Sequence, residues 1–153
     1  MQDGPEGPWA MVTVADIRTR ALALPRSHEA LVRDRVTFKV GRIVYLSIAP
    51  DETTMGFAHP KEERNALITA RPTTFFMPSP SDERYNWAQV RLAALDAEEL
   101  DELVLDAWCM AVPRGVAAAE LSRRGLVVPD RPPRVPTDGL TTSSRMARRA
   151  DVR

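Results

Sequence analysis

Apolar positions recur along this chain with two periods, and the change between them marks out its elements. Ile17, Ala21 and Leu24 share one helical face in the segment from Val14 to Leu24. Thr13 followed by Asp16 is a capping-box pattern, and Pro25 stops the helix. Val36, Phe38 and Val40 then alternate with Thr37 and Lys39. Gly41-Arg42 makes a two-residue turn, because glycine tolerates positive φ at the first turn position. Ile43 to Ile48 returns, and pairing Val40 with Ile43 sets Phe38 opposite Tyr45 and Lys39 opposite Val44. Both faces of this return strand are apolar, which predicts an interior position in the sheet.

Thr53 to Ala58 reads as a third strand. A helix from Pro60 to about Ala70 follows, with Pro60 at its first position, Glu62 and Glu63 at the positive end of its dipole, and Ala66, Leu67 and Ala70 inward. Phe75 to Met77 and Asn86 to Leu95 are further strands. Leu100, Leu103, Val104, Ala107, Trp108 and Ala111 give the clearest amphipathic stripe, on a helix from Ala97 to Val112 that Pro113 ends. A weaker helix continues from Gly115 to Arg124. The order predicts an α+β fold, a small antiparallel sheet packed by helices.

The length, 153 residues, suits one domain, and 44% hydrophobic with 27% charged residues is a globular composition. Residues 1–11 hold two glycines, two prolines and little to bury, which predicts a flexible extension and leaves Met1 and Met11 as alternative starts. Residues 12–124 form the expected domain. The stretch 125–153, with recurrent prolines and then arginines, reads as a disordered tail. The neutral total of 21 basic and 21 acidic residues hides a sorting: residues 12–112 are net −3, residues 113–153 net +5. No apolar run approaches the ~18 residues of a membrane span, so a soluble, cytoplasmic protein without a membrane partner is expected.

Catalytic patterns fail on geometry. Ser27, His28 and Glu29 are triad residue types, but adjacent side chains diverge, so they read as loop and cap residues. His59 opens a segment like a zinc-protease helix, yet the second histidine position holds Glu63, and a helix-capping His59 is the simpler reading. Cys109 lies on an acidic helix, where neighbouring carboxylates suppress a thiolate. No glycine-rich phosphate loop exists. No catalytic residue, metal site or cofactor is assigned.

Charge is the remaining signal. Residues 33–42 carry Arg33, Arg35, Lys39 and Arg42 against Asp34 alone. The helix from Asp96 carries Asp96, Glu98, Glu99, Asp101, Glu102 and Asp106 with no basic residue. A basic hairpin suits a phosphate backbone, while lysine and arginine on a strand edge also simply discourage pairing. Arg35, Lys39, Arg42, Lys61 and Arg91 are the nucleic-acid-binding candidates. Trp87 and Trp108 read as core residues.

Leu24-Pro25, Phe38-Lys39-Val40-Gly41-Arg42-Ile43, Tyr85-Asn86-Trp87-Ala88-Gln89-Val90-Arg91-Leu92 and Asp106-Ala107-Trp108-Cys109-Met110-Ala111-Val112-Pro113 together resemble the MmcQ/YjbR family, in order and spacing, over about residues 12–120. The turn after Val40 is one residue shorter than the usual family pattern. The resemblance implies a CyaY-like, "double-wing" domain with a four- or five-stranded antiparallel sheet, described as DNA-binding and without a shared catalytic constellation. The expected function is non-enzymatic DNA binding through the basic hairpin. Two alternatives stand beside it. One is a protein-interaction domain using the acidic helix 97–112. The other is a small-ligand binder with a pocket at the open sheet face, lined by Tyr45, His59 and Trp87.

Overall fold

The computed structural model describes residues 12–126. The expected extension 1–11, with its choice of start, and the tail beyond Leu126 lie outside the described residues. The chain divides into two units at Glu120/Leu121. In the first, helix α1 (Val14–Leu22) leads into β1 (Ser27–Val32), β2 (Arg35–Val40), β3 (Ile43–Ile48) and β4 (Thr54–Ala58). Helix α2 (Lys61–Ala70), β5 (Phe75–Phe76), β6 (Trp87–Arg91) and helix α3 (Ala97–Cys109) follow. Helix α4 (Arg114–Arg123) runs across the division. Its end is closed by Leu126 N–H donating to Leu121 O and Gly125 N–H to Ser122 O, with Gly125 at φ 75°, the paired bonds of a Schellman cap.

Among the described residues the strands form one antiparallel sheet in the order β1-β2-β3-β4-β6-β5. The α+β class is as expected, with six strands rather than four or five. One strand escaped the sequence pattern. Ser27, His28 and Glu29 are neither loop nor cap; they begin β1, which pairs with β2 through a two-residue turn at Arg33-Asp34. Both turn residues sit at positive φ, 52° and 65°, the conformation that asparagine-glycine turns usually supply. With arginine and aspartate there, the turn leaves no signature. The exposure pattern of β1 does not alternate cleanly either, as expected of an edge strand.

The β2–β3 turn at Gly41 is as read, with φ 59° and Val40 facing Ile43. The register then shifts. Lys39 faces Val44, but Phe38 faces Leu46, not Tyr45. Tyr45 is therefore the extra residue of a bulge, which turns both Tyr45 and Leu46 inward. β6 stops at Arg91, because Leu92–Ala94 turn into a short 3-10 segment. Helix α3 stops at Cys109, short of Val112, since the residue before Pro113 disfavours helical backbone. Helix α2 starts at Lys61, with Pro60 as its cap residue and not at its first position, and proline makes no side-chain capping bond. Asn86 performs that task from the β6 side, its Oδ1 accepting from Lys61 N–H at 3.0 Å.

Directly opposed residues share a sheet face, and two unbroken rows define the layers. Leu31, Val36, Ile48, Met55, Val90 and Phe75 run across all six strands on one face. Helices α1 and α3 contact each other and the strands of this layer. Ile17, Phe38, Leu46, Ile48, Met55, Val90, Leu100, Val104 and Trp108 are sealed there. Trp108 is 0% exposed, and its Nε1–H donates to Pro25 O at 2.9 Å, tying α3 to the end of α1. Edge strand β1 is held to α1 by Arg18, which donates twice to the Glu29 carboxylate at 2.8 and 3.0 Å and holds that carboxyl below its ordinary pKa.

Tyr45 O–H lies 2.5 Å from Ser27 Oγ inside this layer, and burial pushes its pKa up to about 12. An unfolded tyrosine ionises near 10. Between those values the folded chain keeps a proton that the unfolded chain has released, so stability falls as pH rises from about 10 towards 12. We expect the unfolding midpoint in denaturant to drop over that window in the wild type and to drop less in Tyr45→Phe. Parallel slopes for the two proteins would contradict the assignment.

Candidate nucleic-acid interface

The other face of the sheet has a different character. Its unbroken row is Ala30, Thr37, Ser47, Gly56, Gln89 and Phe76. On one side of that row Val32 opposes Arg35 and Thr54 opposes Arg91. On the other side His28 opposes Lys39, Lys39 opposes Val44, and Ala58 opposes Trp87. Most of these side chains are half-buried or exposed, not sealed. No aspartate or glutamate stands among them, whereas Arg35, Lys39 and Arg91 do. Strand alternation causes this sorting: on β2, Arg35, Thr37 and Lys39 share the parity opposite to Val36, Phe38 and Val40.

The sheet thus brings three of the five candidate cations onto one face. Arg35 and Lys39 stand four residues apart on β2, about 13 Å at strand rise, and β6 bears Arg91 three strands away, about 14 Å. Arg91 lies 4.4 Å from the centroid of the Phe76 ring. Arg35 acts at a distance on Asp51, whose carboxyl is held below its ordinary pKa chiefly by the Thr53 hydroxyl and N–H, with the Arg35 charge adding a smaller pull. Arg42 is exposed at the β2–β3 turn, not on the face itself. Lys61 opens α2, and its Nζ donates to Arg84 O at 3.0 Å, so it braces the loop before β6 instead of joining the row. Ion pairs among the described residues join Arg18 to Glu29, Arg20 to Asp101 and Arg71 to Glu99, and none of the five candidates takes part.

Trp87 is not the core residue expected. It is half-buried on the open face, and its Nε1, Cε2 and Cζ2 fill the space where a Cβ at Gly56 would project, 2.5 to 2.7 Å away. Glycine at 56 is what lets the indole lie down across β4, a diagonal cross-strand contact. Among the described residues no acceptor meets the Trp87 Nε1–H, in contrast to Trp108. Beside it Arg84 sits 4.9 Å over the Tyr85 ring and donates to its hydroxyl at 2.9 Å, and Tyr85 is 52% exposed. Arg84, Tyr85, Phe76 and Gln89 were missed in the sequence. The alternation of aromatic and cationic residues through Arg84, Tyr85, Trp87 and Arg91 was the available signal.

A second side chain of α2 holds the loop that carries Arg84 and Tyr85. Arg64 of α2 is 7% exposed and donates to Glu83 O at 2.8 Å, Trp87 O at 2.9 Å and Tyr85 O at 3.2 Å. It is the inward residue of α2; Ala66 and Ala70 are exposed and Leu67 half-buried, contrary to the amphipathic reading.

A cleft of about 230 Å³ lies on the helical side, lined among others by Phe57, His59, Leu67, Phe75, Glu102 and Leu103. It is not on the open face, and of the three expected lining residues it includes only His59. The acidic helix spends much of its charge internally: Asp96 and Glu99 form its capping box, Glu99 also pairs with Arg71, and Asp101 pairs with Arg20. Among the described residues no group of three or more metal-ligating side chains gathers, and no helix is long and apolar enough to cross a membrane.

These features define a small α+β domain whose one antiparallel sheet is sealed by helices on one side and shows cations and aromatic rings on the other. The chain belongs to the YjbR family, whose model matches residues 22–110. It is similar to Deinococcus radiodurans protein DR2400, a DUF419 domain known from a crystal structure, with a TM-score of 0.59 and 26% identity over 76% of this chain and 91% of that one. Over 60 residues, 39% of this chain, it is 35% identical to uncharacterized proteins Rv2570 of Mycobacterium tuberculosis and Mb2600 of Mycobacterium bovis. The chain spans about half the length of these curated relatives, 46%.

Proposed function

We propose that this chain is a non-enzymatic nucleic-acid-binding protein that contacts phosphates through the open face of its sheet. The observation that carries this reading is the sorting of charge: Arg35, Lys39 and Arg91 share a sheet face on which the strands place no carboxylate, and among the described residues none of them is held in an ion pair. Phosphate contacts of this kind supply affinity without sequence preference. Arg42, at the turn, adds a fourth contact when the nucleic acid extends past the end of β2. Lys61, committed to Arg84 O, contributes little.

Three phosphate contacts give a log-log salt slope of about −2.7 on duplex DNA and about −2.1 on a single strand. Fluorescence anisotropy at several salt concentrations measures it. Arg35→Glu with Lys39→Glu should weaken binding at low salt and flatten the slope by about 1.4 to 1.8. Lys61→Glu should leave both nearly unchanged. Equal affinity and slope for wild type and the double variant would remove the sheet face from the reading.

A further inference from the structure

The open face also bears on which form of nucleic acid it takes, and an inference here rests on the nucleic-acid reading just given. A duplex hides its base faces, so a protein reads it by pushing an element into a groove. The element here that projects with positive charge is the β2–β3 turn, only Gly41 and Arg42 long. That is a poor wedge. The sheet face and the loop leading into β6 offer something else: three aromatic rings, Phe76 and Trp87 on the face and Tyr85 in the loop, with arginines beside them. Two of the rings already carry a guanidinium, at 4.4 Å on Phe76 and 4.9 Å on Tyr85. The third, Trp87, carries none, is half-buried against Gly56, and keeps an indole N–H that meets no acceptor among the described residues.

We infer that the partner is a single strand, laid across the open face with an unpaired base stacked against Trp87 and its phosphates running towards Lys39 and Arg91. A cationic track beside an aromatic platform is how proteins hold single strands with little regard for sequence. The platform is supported from two sides. Gly56 seats the ring from below, and Arg64 grips the Trp87 carbonyl at 2.9 Å from behind. The small side chains Ala30, Thr37 and Ser47, in the row leading to Gly56, leave room for a backbone to lie close to the sheet. Arg64 is a positioning residue in this arrangement, since it touches the loop and not the strand.

The test uses the full chain, an oligothymidylate of about twelve nucleotides and a duplex of matching length, titrated at low salt. The oligothymidylate should bind more tightly than the duplex and quench tryptophan emission. Trp87→Ala should weaken its binding about 5- to 150-fold. Trp87→Phe, which keeps a ring, should retain most of the affinity but lose the quench, and it serves should the alanine variant fail to fold. Duplex bound as tightly as the single strand, or a quench that survives Trp87→Phe, would overturn the single-strand assignment. If Trp87→Ala is harmless while Arg35→Glu with Lys39→Glu abolishes binding, the phosphate reading stands and the stacking platform falls. No binding of either probe at low salt removes both.

Discussion

Trp108→Ala should lower the unfolding free energy by about 3–5 kcal/mol, the largest effect expected of any single substitution in this chain. The ring of this α3 residue is wholly buried, so truncation leaves a cavity that the close-packed core around it fills only in part. A second loss is superimposed. Pro25 O, which now accepts from the indole N–H at 2.9 Å, is left without that donor. Trp108→Phe separates the two, retaining most of the apolar volume and costing about 1–2 kcal/mol for the abandoned hydrogen bond and the smaller ring. Urea titration followed by circular dichroism measures both. A change below about 1 kcal/mol for the alanine variant would mean that α3 does not pack as described.

Arg64→Met should destabilise by about 3 kcal/mol, and its effect should reach the open face. Methionine keeps the apolar stem but removes the guanidinium whose two terminal nitrogens serve Glu83 O, Tyr85 O and Trp87 O together. Hydrogen bonds from a charged donor are stronger than neutral ones, and three carbonyls lose theirs at once. Part of the loss is offset, because Nε of Arg64 is buried without an acceptor and its desolvation cost disappears with the charge. Arg64→Lys should fall between wild type and methionine, since one ammonium cannot span three carbonyls as a planar fork does. Amide exchange discriminates this from a general loosening. Protection at Arg84, Tyr85 and Asn86 should fall more than the global change, while β2 and β3 follow the global change alone. Uniform loss across the sheet would contradict a local tie.

Membership of the YjbR family rests on the fold and the match over residues 22–110, and it does not by itself assign a ligand. The specific content of the proposed function comes from this chain's own side chains. The acidic helix, the other charged surface, has less to offer a partner than its six carboxylates suggest. Asp96, Glu99 and Asp101 are already satisfied by a cap and two arginines, so half of the six are committed within the domain.

Read alone, the sequence determined what depends on neighbours in the chain. The α1 capping box, the Gly41 turn, the Lys39 to Val44 pairing, the amphipathic face of α3 and the interior place of β3 all follow from local spacing, and all are present. Tertiary structure decided what depends on residues far apart. β1 exists because β2 pairs with it and Arg18 holds it to α1, although its turn lacks the usual chemistry. The bulge at Tyr45 is a compromise between a two-residue turn and two large side chains that both need burial. Arg64 is buried because a loop some twenty residues later presents it with three carbonyls. The candidate site shows the same division. Charge and aromatic content were visible as types, but only the pairing of β2 with β3, β4 and β6 puts Arg35, Lys39, Trp87 and Arg91 on one face, and only the absence of a Cβ at Gly56 lets Trp87 lie across it.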